Sequence, residues 1–191
     1  SNPRKINAST IDLWARILKA VPNAVLILKY RAMDSPCQVR RITSLFAANG
    51  VGKGRLVLEG GARHADFIAR YADIDLALDT FPYSGGLTTY EALWMGVPVV
   101  TKNGATFASR HALGILQAVG LSELVGEDAS AYLHTAVSLA ADWNRLASMR
   151  AGLRNRVAAS PVCDNAGFAA HLTNLIRAIW RQFCADAVTK R

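Results

Sequence analysis

Four short apolar runs, each separated from the next by a helical pattern, restrict the possible folds of this chain more than any other feature. They are AVLILKY (24–30), RLVLEG (55–60), IDLALDT (74–80) and VPVVTK (97–102). Runs of this length and continuity suit strands buried on both faces. The first helical pattern is IDLWARILKAV (11–21), where Ile11, Trp14, Leu18 and Val21 share a stripe and Ser9 or Thr10 can serve as the cap. Pro22-Asn23 breaks it. Further helices are expected over 35–48, 62–72, 88–96 and 106–119, with Asn49-Gly50, Gly96 and Gly120 as stops and Thr88 as the cap of the third of these. A short fifth strand fits within 121–127. Two long helices, 129–158 and 166–185, flank the SPVCDN break at 160–165. This alternation predicts an α/β fold: a Rossmann-like parallel sheet with helices on both faces. With 191 residues and no internal repeat, the chain reads as one domain, 1–191, with C-terminal helices of about 129–185 packing on it.

Composition narrows the function classes. About half the residues are apolar and only 19% are charged, so a packed core is expected rather than disorder. No stretch approaches the roughly 20 apolar residues of a membrane span, and no basic-then-apolar leader opens the chain. The net charge of +8 suits an acidic partner, a phosphorylated small molecule or nucleic acid. Nucleic acid is disfavoured, because basic residues such as Arg145, Arg150, Arg154 and Arg156 are dispersed along a helix and not clustered with aromatics. Cys37, Cys163 and Cys184 form no CxxC pair and no disulfide framework. They are expected to be buried thiols in a cytoplasmic protein, and no metal site is expected.

In a parallel α/β fold, ligands bind outside the carboxyl ends of the strands. The informative segment is therefore DTFPYSGGLTTYEALWMGVPVVT (79–101), where a strand ends at Asp79 and two glycines precede a helix start. Gly85 and Gly86 would let backbone approach a ligand, and the first helix amides and the dipole favour an anion. Thr88 and Thr89 add hydroxyls, and Glu91 stands ready for vicinal ribose hydroxyls. The pattern describes a diphosphate cradle or, equally, an ordinary capped helix with a first-turn acid.

The segment LALDTFPYSGGLTTYEALWMGVPVVT resembles the donor-binding region of the O-GlcNAc transferase and SPINDLY family. KINASTIDLWARILKAVPNAVLIL, ASRHALGILQAVGLSELV and ASPVCDNAGFAAHLTNLIRAIW resemble other parts of the same C-terminal lobe, in order, over nearly the whole chain. The resemblance implies the donor-binding lobe of a GT-B glycosyltransferase. Such an enzyme moves a sugar, GlcNAc by default, from a nucleotide diphosphate to protein Ser or Thr, with inversion and without metal or other cofactor. A GDP-fucose-using lobe and a non-catalytic nucleotide-sugar-binding module are the alternatives. The implied partners are the nucleotide sugar UDP-GlcNAc, an acceptor protein and an N-terminal lobe. That lobe and the TPR array lie upstream in the family, so the chain is expected to be an excised domain, a proteolytic product or the product of a truncated gene, and Ser1-Asn2 is compatible with a tag remnant.

The resemblance also assigns residues. Lys5 aligns with the lysine that meets the diphosphate. Gly86, Leu87, Thr88 and Thr89 align with the phosphate turn, with Leu87 replacing a usual Thr. Glu91 stands at the ribose position. Ala62, His64, Phe67 and Arg70 align with the base-binding strip, with Phe67 replacing a stacking His. Arg110 and His111 occupy a second helix start on the same cleft, with Ser109-Arg110 structural.

Overall fold

The computed structural model describes residues 2–189, and side chains as far as 186; Ser1 lies outside the described residues. A 3₁₀ turn, Pro3–Lys5, leads into α1, Ala8–Ala20. The cap of α1 is Asn7, whose side chain accepts from the Thr10 amide at 2.9 Å. Ser9 and Thr10, the expected caps, lie in the first turn instead, because Asn7 reaches the third helical amide. β1 is Leu26–Lys29, α2 Pro36–Ala48, β2 Leu56–Glu59 and α3 His64–Ala69, which passes into a 3₁₀ turn over Arg70–Asp73. Then come β3 (Ala77–Leu78), α4 (Leu87–Trp94), β4 (Val99–Lys102), α5 (His111–Ala118) and β5 (Val125–Gly126). Three helices close the chain: α6 (Ala129–Ala141), α7 (Trp143–Ala158) and α8 (Asn165–Thr189). None of the described helices is long and apolar enough to cross a membrane.

Every strand pair is parallel, as expected. β1 pairs with β2 from Leu26–Leu56 to Lys29–Glu59, and β3, β4 and β5 form a second ladder in that order. The expected single sheet is thus two ladders, with no pairing between β1 and β3 among the described residues. Alternation along β4 sends Val100 into one core and Val99 into another. The first core gathers Trp14 of α1, Phe46 of α2, Leu28 of β1 and Tyr132 of α6. The second gathers Leu93 of α4, Leu116 of α5 and Leu153 of α7. Helices therefore cover both faces.

Four expectations at element level are corrected. The helix expected over 129–158 is broken at Asp142, whose φ of −98° and ψ of 81° leave the helical region and whose carboxylate caps α7 at the Arg145 amide. α4 begins at Leu87 with Gly86 as its cap, so Thr88 lies inside the first turn and caps nothing. The segment 106–119 opens with a 3₁₀ turn, Phe107–Ser109, before α5. All three cysteines are exposed, not buried, since Cys37 sits on the outer side of α2 and Cys163 and Cys184 lie beyond the cores. The glycine stops hold: Gly50, Gly96 and Gly120 have φ of 78°, 80° and 73°, a region that favours glycine. α6 packs on β4 and β5 and α7 on α4 and α6, whereas α8 leaves Phe168, Leu175, Ile179 and Trp180 exposed.

Candidate functional site

The loop from Asp79 to Gly86 joins the end of β3 to the start of α4, and a buried carboxylate organises it. Asp79 Oδ1 accepts the amides of Thr80 at 2.8 Å and Gly85 at 2.7 Å, while Oδ2 accepts the Thr101 hydroxyl at 2.7 Å. Burial pushes the Asp79 pKa up and outweighs these three donors and the Lys5 charge, which act in the opposite direction. The Asp79 carbonyl accepts from Tyr132 Oη at 3.0 Å, and Trp14 Nε1 donates to the same Tyr132 oxygen at 3.0 Å. Across the Phe81–Pro82 cis peptide, the Phe81 carbonyl accepts from Asn7 Nδ2 at 2.7 Å and Thr10 Oγ1 at 3.1 Å. The loop is thus fixed from both ends before any ligand arrives.

The two glycines have different tasks. A Cβ at Gly85 would meet Thr89 Oγ1 at 2.5 Å and Asp79 Oδ1 at 3.1 Å, so the residue is small because the loop closes on itself there. Its amide donates to Asp79 Oδ1. Gly86 faces open space. Among the described residues, no protein acceptor is bonded to the amides of Gly86, Leu87 or Thr88. These are the orphan donors of a helix start, at the positive end of the dipole. Thr88 is exposed and Thr89 buried, so only the first of the two hydroxyls faces solvent.

Lys5 comes to this turn from 79 residues away in sequence. Its Nζ donates to the Ser84 carbonyl at 2.9 Å and lies 3.9 Å from the centre of the Tyr83 ring. Burial lowers its pKa, and the Asp79 carboxylate opposes that shift. Glu91 is brought to His64, with Oε1 3.0 Å from Nε2. His64 is largely exposed, and Glu91 is mostly enclosed. Ala62 is exposed in the segment before α3.

Phe67 and Arg70 line a cavity of about 480 Å³ between the two ladders, together with Tyr71, Thr88, Leu28 and Leu78. Phe67 meets Tyr71 edge-on at 5.7 Å. The Tyr71 hydroxyl donates to the Thr88 carbonyl at 3.3 Å, and its pKa is pushed up to about 12, first by burial and then by Glu91. Arg70 is already occupied: its guanidinium binds Glu59 at 2.7 Å and Asp73 at 2.6 Å. Lys29 joins Glu59 at 2.9 Å, and Arg70, as the leading cause, holds the Glu59 carboxyl down to about 2. Sequence reading missed Glu59, Lys29, Tyr71 and Tyr83; a Lys and a Glu closing adjacent strand runs was the available signal for the first two.

At the second helix start, Ser109 is buried and exchanges cap bonds with Thr106, in line with a structural role. Arg110 is exposed, and the His111 ring packs edge-on against Phe107 at 4.6 Å and Tyr83 at 6.0 Å. Among the described residues, no group of three His, Cys, Asp or Glu could hold a metal ion.

Fold and turn define this chain as a Rossmann-like lobe whose α4 start presents unpaired backbone amides to solvent. The sequence profile of glycosyl transferase family 41 matches residues 2–172. The chain is 37% identical over 96% of its length to a probable UDP-N-acetylglucosamine–peptide N-acetylglucosaminyltransferase SPINDLY of Petunia hybrida. It is 30% identical over 94% of its length to the UDP-N-acetylglucosamine–peptide N-acetylglucosaminyltransferase of Caenorhabditis elegans. Its structure is similar to that of a mutant of Thermobaculum terrenum O-GlcNAc transferase, with a TM-score of 0.89, 40% identity and 96% of this chain covered. The chain belongs to glycosyltransferase family 41, and its fold is that of a lobe of the GT-B enzymes in that family. It spans 20% of the Petunia protein, 15% of the Caenorhabditis protein and 35% of the solved chain.

Proposed function

We propose that this chain is the donor-binding half of an inverting, metal-independent glycosyltransferase that moves GlcNAc from UDP to a protein Ser or Thr. The observation that carries the reading is that Lys5 binds the Ser84 carbonyl, two residues before the open amides of Gly86, Leu87 and Thr88, on a loop already fixed by Asp79. The diphosphate lies on those amides, with the Thr88 hydroxyl beside it. As the acceptor oxygen attacks the anomeric carbon and the bond to the β-phosphate oxygen breaks, negative charge grows on the leaving diphosphate. Lys5 and the helix start stabilise that charge without a metal. The Leu87 side chain adds no hydroxyl, but its amide serves in the same way.

Glu91 has two oxygens and gives one to His64, which leaves the other for the ribose hydroxyls. Phe67 supplies an apolar wall for the base. Arg70 is tied to Glu59 and Asp73, so its part is to hold the end of α3 against β2, and recognition of the base falls to backbone groups from Ala62 onward. The acceptor protein and the residues that orient it belong to an N-terminal lobe.

Titration with UDP and GDP, followed by amide NMR, tests the reading. UDP is expected to shift the signals of residues 84–92 at micromolar to millimolar concentration. If neither nucleotide moves them at millimolar concentration, the turn is an ordinary capped helix and the reading is wrong.

A further inference from the structure

The donor-lobe reading makes no use of α8. From Phe168 to Asp186 every residue of this helix is exposed. It nevertheless carries Phe168, Leu172, Leu175, Ile176, Ile179 and Phe183, each between 42% and 66% exposed, and Trp180 stacks on Phe183 with ring centres 5.7 Å apart. With 3.6 residues per turn these side chains share one stripe, and Arg177 and Arg181 lie on the opposite side. The stripe offers roughly 700 Å² of apolar surface, more than the about 300–600 Å² of the largest patch on a typical monomer. Most of a helix's stability in a protein comes from packing such a face. The stripe also reads alike from either end. About the midpoint between Leu175 and Ile176, Phe168 mirrors Phe183 and Leu172 mirrors Ile179.

We infer that this stripe is a dimer interface, in which α8 packs antiparallel on α8 of a second copy about a two-fold axis at that midpoint. A two-fold contact needs a self-complementary surface, where residue i meets j and j meets i. The mirrored stripe supplies one: aromatic rings meet at both ends, and Leu and Ile meet in the middle. The area fits as well, since roughly 700 Å² per copy is close to the about 800 Å² that each partner gives to a standard interface. So do the charges. The same register sets Asp186 of one copy level with Asn165, where the other α8 begins and its dipole is positive. Arg177 and Arg181 stay in water, away from the seam. An anionic membrane is the poorer partner, because these two are the basic residues of α8 among those described, against the clusters of about 4–8 Lys or Arg that hold a helix to such a surface.

The test is sedimentation velocity of the 191-residue chain from low micromolar to sub-millimolar concentration, in the wild type and in Ile179→Glu, Leu175→Glu and Arg181→Glu. The wild type is expected to sediment as a dimer. Ile179→Glu and Leu175→Glu, on side chains outside both cores, should raise the dimer dissociation constant at least about tenfold. Arg181→Glu, on the opposite side, should leave it unchanged. A spin label on Cys184, with Cys37 and Cys163 changed to Ser, reads the direction of pairing. The two labels should lie about 25 Å apart along the helix axis, against about 10 Å for a parallel pair. If Ile179→Glu and Leu175→Glu do not fold, this distance decides alone. A wild type that stays monomeric overturns the interface. So does a dimer that the stripe variants weaken no more than Arg181→Glu, or a label distance of the parallel kind. Two monomeric outcomes name another occupant and equally overturn the dimer: α8 amide signals that move only on addition of the N-terminal lobe of a family relative, or only on addition of phosphatidylserine vesicles.

Discussion

Asp79 shows how one residue can shape a site without touching the ligand. Asp79→Ala would leave the Thr80 and Gly85 amides and the Thr101 hydroxyl without their acceptor in the buried loop root. Each orphaned group costs about 1–3 kcal/mol, so a loss of at least about 3 kcal/mol is expected in urea unfolding. Asp79→Asn keeps one oxygen for the two amides and removes a charge that burial disfavours. It should cost less than half as much, and equal losses would refute the acceptor account. Glu91→Ala acts on the ligand instead. It should weaken UDP binding by about 1.5–3 kcal/mol in calorimetry, the range for a hydrogen bond to a charged group, with little change in melting temperature. An unchanged Kd would reduce Glu91 to a partner of His64. Glu91 was expected in the first turn of α4, but the helix begins at Leu87 and not after a Thr88 cap, so Glu91 falls one position beyond that turn. The engagement of Arg70 by Glu59 was not legible in the sequence, since it depends on the register of β2 beside the turn after α3. The distinct roles of Gly85 and Gly86 were equally hidden, because only a folded loop shows which one a side chain would collide with.

The elements were more legible than their edges. Continuous apolar runs located all four main strands, but β3 pairs over two residues, Ala77 with Val99 and Leu78 with Val100, where seven were expected. The break at Asp142 lay in view as an Asp three residues before Arg145, and the apolar pattern on either side concealed it. Asp142→Ala should cost α7 about 1 kcal/mol, the usual value of an N-cap, measurable by chemical unfolding. A larger electrostatic device joins β1, β2 and α3. Glu59 binds Arg70 and Lys29, and its carboxyl lies near 2, against an ordinary value of 4.5. A lowered carboxyl contributes stability that is present above about 4.5 and lost as pH falls toward about 2. Since the partners are partly exposed and screened, the contribution is about 1–2 kcal/mol. Unfolding followed from pH 6 to pH 2 should show this loss, and Glu59→Gln should flatten that part of the profile. Asp79, with its pKa raised, has the opposite sign and does not contribute to acid loss. An unaltered profile in Glu59→Gln would show that the ion cluster contributes nothing measurable.

At the scale of the whole molecule, the candidate site is an open face. The phosphate turn stands open: Leu87 is 72% and Phe107 85% exposed, and Thr88 faces solvent. In the function proposed above, these groups serve the nucleotide and its leaving charge, and orientation of the acceptor hydroxyl against the anomeric carbon falls to the other lobe. Holding two reactants in one geometry can supply about 7–11 kcal/mol of a barrier, which is a large share of what a glycosyltransferase needs. Charge stabilisation by Lys5 and the α4 amides also works best in a dry chamber, and here water competes for the same donors. Binding and turnover should therefore separate. The 191-residue chain is expected to bind UDP-GlcNAc yet transfer no sugar above background, and to hydrolyse the donor no faster than buffer does. The measurement is transfer of radiolabelled GlcNAc from UDP-GlcNAc to a mixture of Ser- and Thr-containing peptides, with the N-terminal lobe of a family relative absent or supplied in trans. Gain of label only with the added lobe supports the half-site account. Robust transfer by the chain alone would refute it, because the acceptor would then have to be oriented by residues 1–191 themselves, and the open face around Leu87 and Phe107 would be the place to seek them.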